Sequence, residues 1–245
     1  MSTAAQVAEI VRPFLERHAD FELVGRTVVL KPVRHVLRSF FIDRTSAKGH
    51  IQPSWTVCTL FAPPPRYTIG VGARLIQGVG YVDRPDTQVR LLAEMELITS
   101  DILRGGDDMD SWPALAWRAE PVFGPGPLTF AMPLIAKGAF AQAIPYVAQT
   151  LTEIDVGVEQ RILDAKNHRS PDSRPARIDA YVLGRVLEAQ RGYRALHDLL
   201  RSGDAVALAA QLHAWEAAGA KEKKVEHLWE PSPFPFEVGA EALSP

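Results

Sequence analysis

The chain has 245 residues, 47% of them hydrophobic and 23% charged, with a formal net charge of −2. That length suits one large domain or two small ones and can bury a sizeable core. Mixed charges near neutrality exclude the basic footprint of a nucleic-acid binder. A single cysteine, Cys58, excludes an internal disulfide and a cysteine-rich zinc site, and points to a reducing compartment. The N-terminus reaches charge without the apolar core of a secretory leader, and no apolar run approaches the roughly 18 residues of a membrane span. The expectation is a cytoplasmic protein that binds neither nucleic acid nor membrane.

Residues 3–18 predict an amphipathic helix, with Val7, Ile10, Val11, Phe14 and Leu15 on one face and Ser2 or Thr3 as cap. Pro13 either kinks this helix or marks its first turn. From about residue 24 to residue 76 the period changes to two. "RTVVL", "RHVLRSFFID", "HIQPSWTVCTLFA" and "RYTIGVGARLI" read as four strands in series. With no helix between them they predict an antiparallel meander.

The last of these strands raises a question of chemistry, because "YTIGVGARLIQGVGY" carries four glycines. A dinucleotide fingerprint needs G-x-G-x-x-G opening a helix, but Leu75 stands in the third glycine position and a loop follows. A Walker-type loop needs Gly-Lys-Ser/Thr, which is absent. As a strand, the stretch puts Tyr67, Ile69, Val71, Ala73 and Leu75 on one face. Thr68, Gly70, Gly72 and Arg74 share the other, a bare face that a helix or a ligand can approach closely.

"DTQVRLLAEMELITSDILRGG" predicts a helix capped by Asp86 or Thr87 and ended at Gly105. Residues 106–136 read as an irregular connector with a strand at "PLTFAM". An apolar stripe from Phe140 through Ile144, Val147, Leu151, Ile154 and Val158 to Ile162 predicts a long helix. Further helices are expected at about 177–201 and 205–229, separated by Gly203 and the cap Asp204. The tail "EPSPFPFEVGAEALSP" reads as too proline-rich for helix. The boundaries fall at 1–105 for an α+β domain, 106–136 for the connector and 137–245 for a helical region with its tail.

Pro13, Leu15, Phe21, Gly25, Arg26 and Thr27 carry a helix ending, a Phe and a Gly-Arg-Thr turn into strands. In this the first hundred or so residues resemble the bacterial domain of unknown function 4304 family, although Asp20 stands where that family usually has Gly. The family has no established activity. The resemblance implies at most, by analogy of fold type, an immunity or partner-binding role.

Candidate chemistry is sparse. Asp107, Asp108 and Asp110 form an acidic loop without the ligand spacing or closing Glu of an EF-hand. His213 and Glu216 share a helix face, with His197 on the preceding helix, but the paired Glu-x-x-His motifs of a di-metal bundle are missing. A surface hydrogen-bonded pair is expected there. Cys58, with His35 and His50 on neighbouring strands, reads as a buried small hydrophobe more readily than as a nucleophile. "KEKK", Lys221 to Lys224, reads as a solvated helix face. No metal and no cofactor is expected.

The fold expected is therefore α+β: an N-terminal helix and an antiparallel meander of four to five strands, followed by a C-terminal helical bundle. Two functions remain. The first is binding of a protein partner or a second copy, in an immunity-like or scaffold role without catalysis, anchored by Trp112, Trp117, Trp229, Phe234 and Phe236. The second is a ligand-binding domain or enzyme with a site over Gly70 and Gly72, lined by Arg74, Arg38 and His50. A cleft above the glycines favours the second; a helix packed flat on them favours the first.

Overall fold

The computed structural model describes residues 3–44, 47–64, 70–75, 80–106, 111–112, 114–115, 126–166 and 174–241. The chain forms two compact units: 1–60, 68–125 and 216–232 make the first, and 61–67, 126–215 and 233–245 the second.

The first unit opens with helix α1 (Ala4–Arg17). Thr3 and Gln6 close a reciprocal capping box, and Val7, Ile10, Val11 and Phe14 are buried on one face. Pro13 lies inside the helix. An antiparallel sheet follows: β1 (Phe21–Val24), β2 (Thr27–Leu30), β3 (Val36–Arg44), β4 (His50–Thr59) and β5 (Gly70–Arg74), paired in that order. A short β6 (Gly80–Tyr81) also pairs with β4. The four expected strands are β2 to β5. β1 is added by a two-residue turn in which Gly25 takes φ +65°, the conformation that a tight hairpin requires at its first loop position.

Helix α2 (Pro85–Ile98) starts with Pro85 in its first turn, after Arg84 as cap residue rather than Asp86 or Thr87. It runs into a π-helical turn, Thr99–Leu103. One sheet face is mostly apolar, with Val28, Leu30, Val36, Phe40, Ile42, Trp55 and Val57 buried. Phe14 of α1 packs there, its ring 5.0 Å from Phe21 and 5.8 Å from Phe40.

The second unit is helical: α3 (Pro127–Ala136), α4 (Phe140–Lys166), α5 (Arg174–Ser202), the first part of α6 (Ala205–Lys223) and α7 (Pro235–Glu241). The expected strand at 127–132 is instead the start of α3, where Pro127 with its fixed φ sits in the first helical turn. The tail expected to be non-helical forms α7 by the same device, with Pro235 first. Glu237 then accepts from the Phe234 N–H at 2.6 Å. Between α5 and α6, Gly203 (φ +70°) stops one helix and Asp204 accepts from the Ala207 N–H at 2.9 Å to start the next.

α6 ends at Lys223, about two turns earlier than expected. Lys224 takes a left-handed φ of 59°, and its N–H donates to the Lys221 carbonyl at 3.1 Å. The residues after it turn back onto the first unit, where Val33 donates to the Leu228 carbonyl and Glu230 to the Val33 carbonyl. Among the described residues no helix is long and apolar enough to cross a membrane.

Candidate functional site

The second sheet face is built in rungs by the strand register. Leu37, Cys58 and Gly70 form one rung across β3, β4 and β5; Ser39, Thr56 and Gly72 form the next; Phe41, Ser54 and Arg74 the third. β2 extends the last two with Val29 and Thr27.

The first rung is roofed. The end of α6 and the segment after it supply Ala220, Val225 and Leu228, which bury Val29, Val33, Leu37, Cys58 and Leu60 in one apolar cluster. Beyond that roof the face opens into a cavity of about 350 Å³, a volume at the small end of ligand pockets. Thr27, Ser39, Phe41, Ser54, Thr56, Gly70, Gly72 and Lys223 are among its lining residues. A cleft over Gly70 and Gly72, the feature that favours the ligand-binding reading, is present.

Three properties define what this cavity can hold. Its walls are largely carbon, from Leu37, Phe41 and the bare glycines. Its polar groups are hydroxyls, and Ser39 Oγ is buried with no hydrogen-bond partner among the described residues. Such a group costs free energy until something pairs with it. Its one charged lining residue is Lys223, which forms no ion pair among the described residues. Cys58 lies under the roofed edge, where burial pushes its thiol up to about 11, against a smaller opposing pull from Lys223 and a hydrogen bond with Thr56. It is a neutral thiol at physiological pH and no nucleophile.

The glycines have a second reason for being there. A Cβ on Gly70 would stand 2.6 Å from Cys58 Cβ and collide with the Val57 carbonyl, and one on Gly72 would collide with the Trp55 carbonyl. β5 lies so close to β4 that pairing itself demands glycine at both positions.

The other residues expected around the glycines are placed differently. Arg38 alternates onto the opposite face, where it is buried and donates to the Leu103 carbonyl at 3.3 Å and the Pro32 carbonyl at 3.4 Å. His50 sits at the far end of β4, edge-on to Tyr81 at 3.9 Å between ring centroids. Arg74 stands beside Ser54 at the rim, with Gln52 Oε1 within 2.8–2.9 Å of its guanidinium nitrogens once the amide is oriented to accept. Sequence reasoning missed Ser39, Thr56 and Lys223. A serine between Leu37 and Phe41 on one face of β3 was the readable signal; Lys223 was hidden in its charged run.

The aromatic set expected at an interface packs inward. Trp112 is fully buried and donates to the Gly106 carbonyl at 3.3 Å. Trp229 packs on the apolar cluster of the first unit. Phe234 is fully buried in the second unit, 5.1 Å from Phe61 and 5.8 Å from Phe236, whose ring also meets Phe140. Trp117, with Asp107, Asp108 and Asp110, lies outside the described residues.

His213 and Glu216 each meet a residue from another part of the chain. His213 hydrogen-bonds Glu237 at 3.0 Å, while the wholly buried Glu216 meets His35 Nδ1 at 3.1 Å, so neither forms the expected surface pair. His35 Nε2 in turn meets Ser232 Oγ at 3.2 Å. Carboxylate, imidazole and hydroxyl thus stand in the order of a nucleophilic relay. Ser232, however, lies between Pro231 and Pro233. The residue after it has no N–H to hold an oxyanion, the donor such relays commonly use. The arrangement instead fastens the returning segment to the start of β3.

No family model, curated protein or solved structure matches the chain.

Proposed function

We propose that the first unit is a binding domain for a small organic molecule, held in the open half of the glycine face. The cavity over Gly70 and Gly72 carries this reading. It is concave, mostly apolar and furnished with a few converging polar groups, the usual makeup of a small-molecule site. The reading is of binding rather than turnover: Cys58 is held neutral, and the relay at Ser232 lacks the neighbouring donor.

The test is a thermal-shift and amide-resonance screen of the full chain with a fragment library. A ligand at 100 times its dissociation constant stabilises the fold by roughly 2.7 kcal/mol. Hits should move resonances of β3, β4 and β5, and Ser39→Leu, which fills the cavity from its floor, should abolish them. Hits that survive this substitution would move the site elsewhere.

A second reading, binding of a protein partner or a second copy, is favoured by a different surface. In the second unit Val156, Leu163, Ile178 and Tyr181 are all more than half exposed. They lie where α4 and α5 meet through Arg161 and Asp179, at 3.3 Å. Exposed apolar side chains so grouped mark interaction sites. Light scattering of wild type against Leu163→Lys/Tyr181→Glu decides for self-association if only the wild type is larger than a monomer. An immunity-like role belongs to this reading.

A further inference from the structure

Resting on the small-molecule reading, we infer that the cavity selects an amphipathic monocarboxylate: an apolar body over the glycines with its carboxylate between Lys223 and the hydroxyls of Ser39 and Thr56.

The charge argument comes first. Lys223 is the charged lining residue, and among the described residues no acidic side chain lines the cavity. A half-buried ammonium without a carboxylate partner favours an anion and disfavours a cationic ligand. The number of donors then limits the anion. Among the described residues the lining has one ammonium and no arginine, and the helix end that reaches the cavity is the C-terminus of α6. A helix C-terminus carries partial negative charge, so it opposes a phosphate dianion, which is ordinarily held by helix N-termini and arginine forks. A singly charged carboxylate needs fewer donors.

The hydroxyls supply the rest. Ser39 Oγ is buried and unpartnered among the described residues, and the register puts it opposite Thr56 in one rung, facing the cavity. It can donate to a carboxylate oxygen and lose its desolvation penalty by doing so. The remaining walls are hydrocarbon from Leu37 and Phe41 beside two glycines without side chains, a lining for an alkyl or aryl body.

The test is calorimetric titration of the full-length protein with octanoate, 1-octanol and octylamine, and with 3-phenylpropionate against its alcohol. Each acid should bind about tenfold or more tightly than its alcohol, the step that one charge-assisted hydrogen bond supplies, and the amine most weakly. Lys223→Gln should bring octanoate down to the level of octanol and leave octanol unchanged. Ser39→Ala, which keeps the sheet register, should weaken octanoate more than octanol. Equal binding of acid and alcohol, or no effect of Lys223→Gln, overturns the carboxylate assignment and leaves the cavity as a site. No binding of any probe, with unmoved resonances in β3, β4 and β5, overturns both.

Discussion

Cys58 shows how one side chain's surroundings decide its chemistry. It is 1% exposed, and burial lifts its pKa from 9.0 to about 11. The folded chain therefore keeps the thiol proton to higher pH than the unfolded chain does. The stability this proton confers is complete below about pH 9 and declines as pH rises toward 11. Iodoacetamide at pH 8 should leave Cys58 unmodified until the chain is unfolded, and Cys58→Ala should flatten the loss of stability in alkali. Alkylation followed by mass spectrometry, and melting curves across that window, check both. Rapid alkylation of the native chain would contradict the burial.

Ser39, in the next rung of the same face, is the opposite case. The same sheet face that buries a thiol harmlessly leaves a buried hydroxyl without a partner among the described residues, because its neighbours on that face are largely apolar.

At the scale of elements, β5 is the informative one. Its alternation was readable, since Val71 and Ala73 fall on the face opposite Gly70 and Gly72. The reason for the glycines was not, because it lies in the close approach of β4. Gly72→Ala is expected to cost about 1–3 kcal/mol, the range for forcing atoms into filled space. Urea denaturation measures it, and the loss should appear with no ligand present. If Gly72→Ala is neutral, the glycines serve ligand access alone. The two elements that differ from expectation, the strand at 127–132 and the non-helical tail, begin alike: Pro127 and Pro235 each stand in a first helical turn, where a missing N–H costs nothing.

On the scale of the whole molecule, the chain returns from the second unit to complete the first. Residues 216–232 bring Glu216 to His35, Ser232 to the same imidazole, Leu228 and Val225 to the apolar cluster, and Lys223 to the cavity. Glu216 is wholly buried, so Glu216→Ala should destabilise the fold by about 3 kcal/mol, the loss expected when one partner of a buried polar pair is removed. Ser232→Ala should cost about 1 kcal/mol or less. A fluorophosphonate probe should leave Ser232 unlabelled, since Pro233 offers no N–H for the oxyanion. Labelling of Ser232 would turn the fastening into a catalytic relay.

The sequence by itself determined what local periodicity can express. The face of α1, the alternation of β2 to β5, the stop at Gly203 and the absence of a nucleotide loop all depend on residues a few positions apart. Which strand rungs face which cover depends on contacts between residues far apart in the chain. Arg38 and Gly72 were expected on one face, yet the register sends Arg38 to the other. Lys223 looked like part of a solvated run until the fold carried it over the sheet. Only the tertiary structure decided that half of this face is roofed and half open, because a roof is made by a segment more than 140 residues downstream of β5.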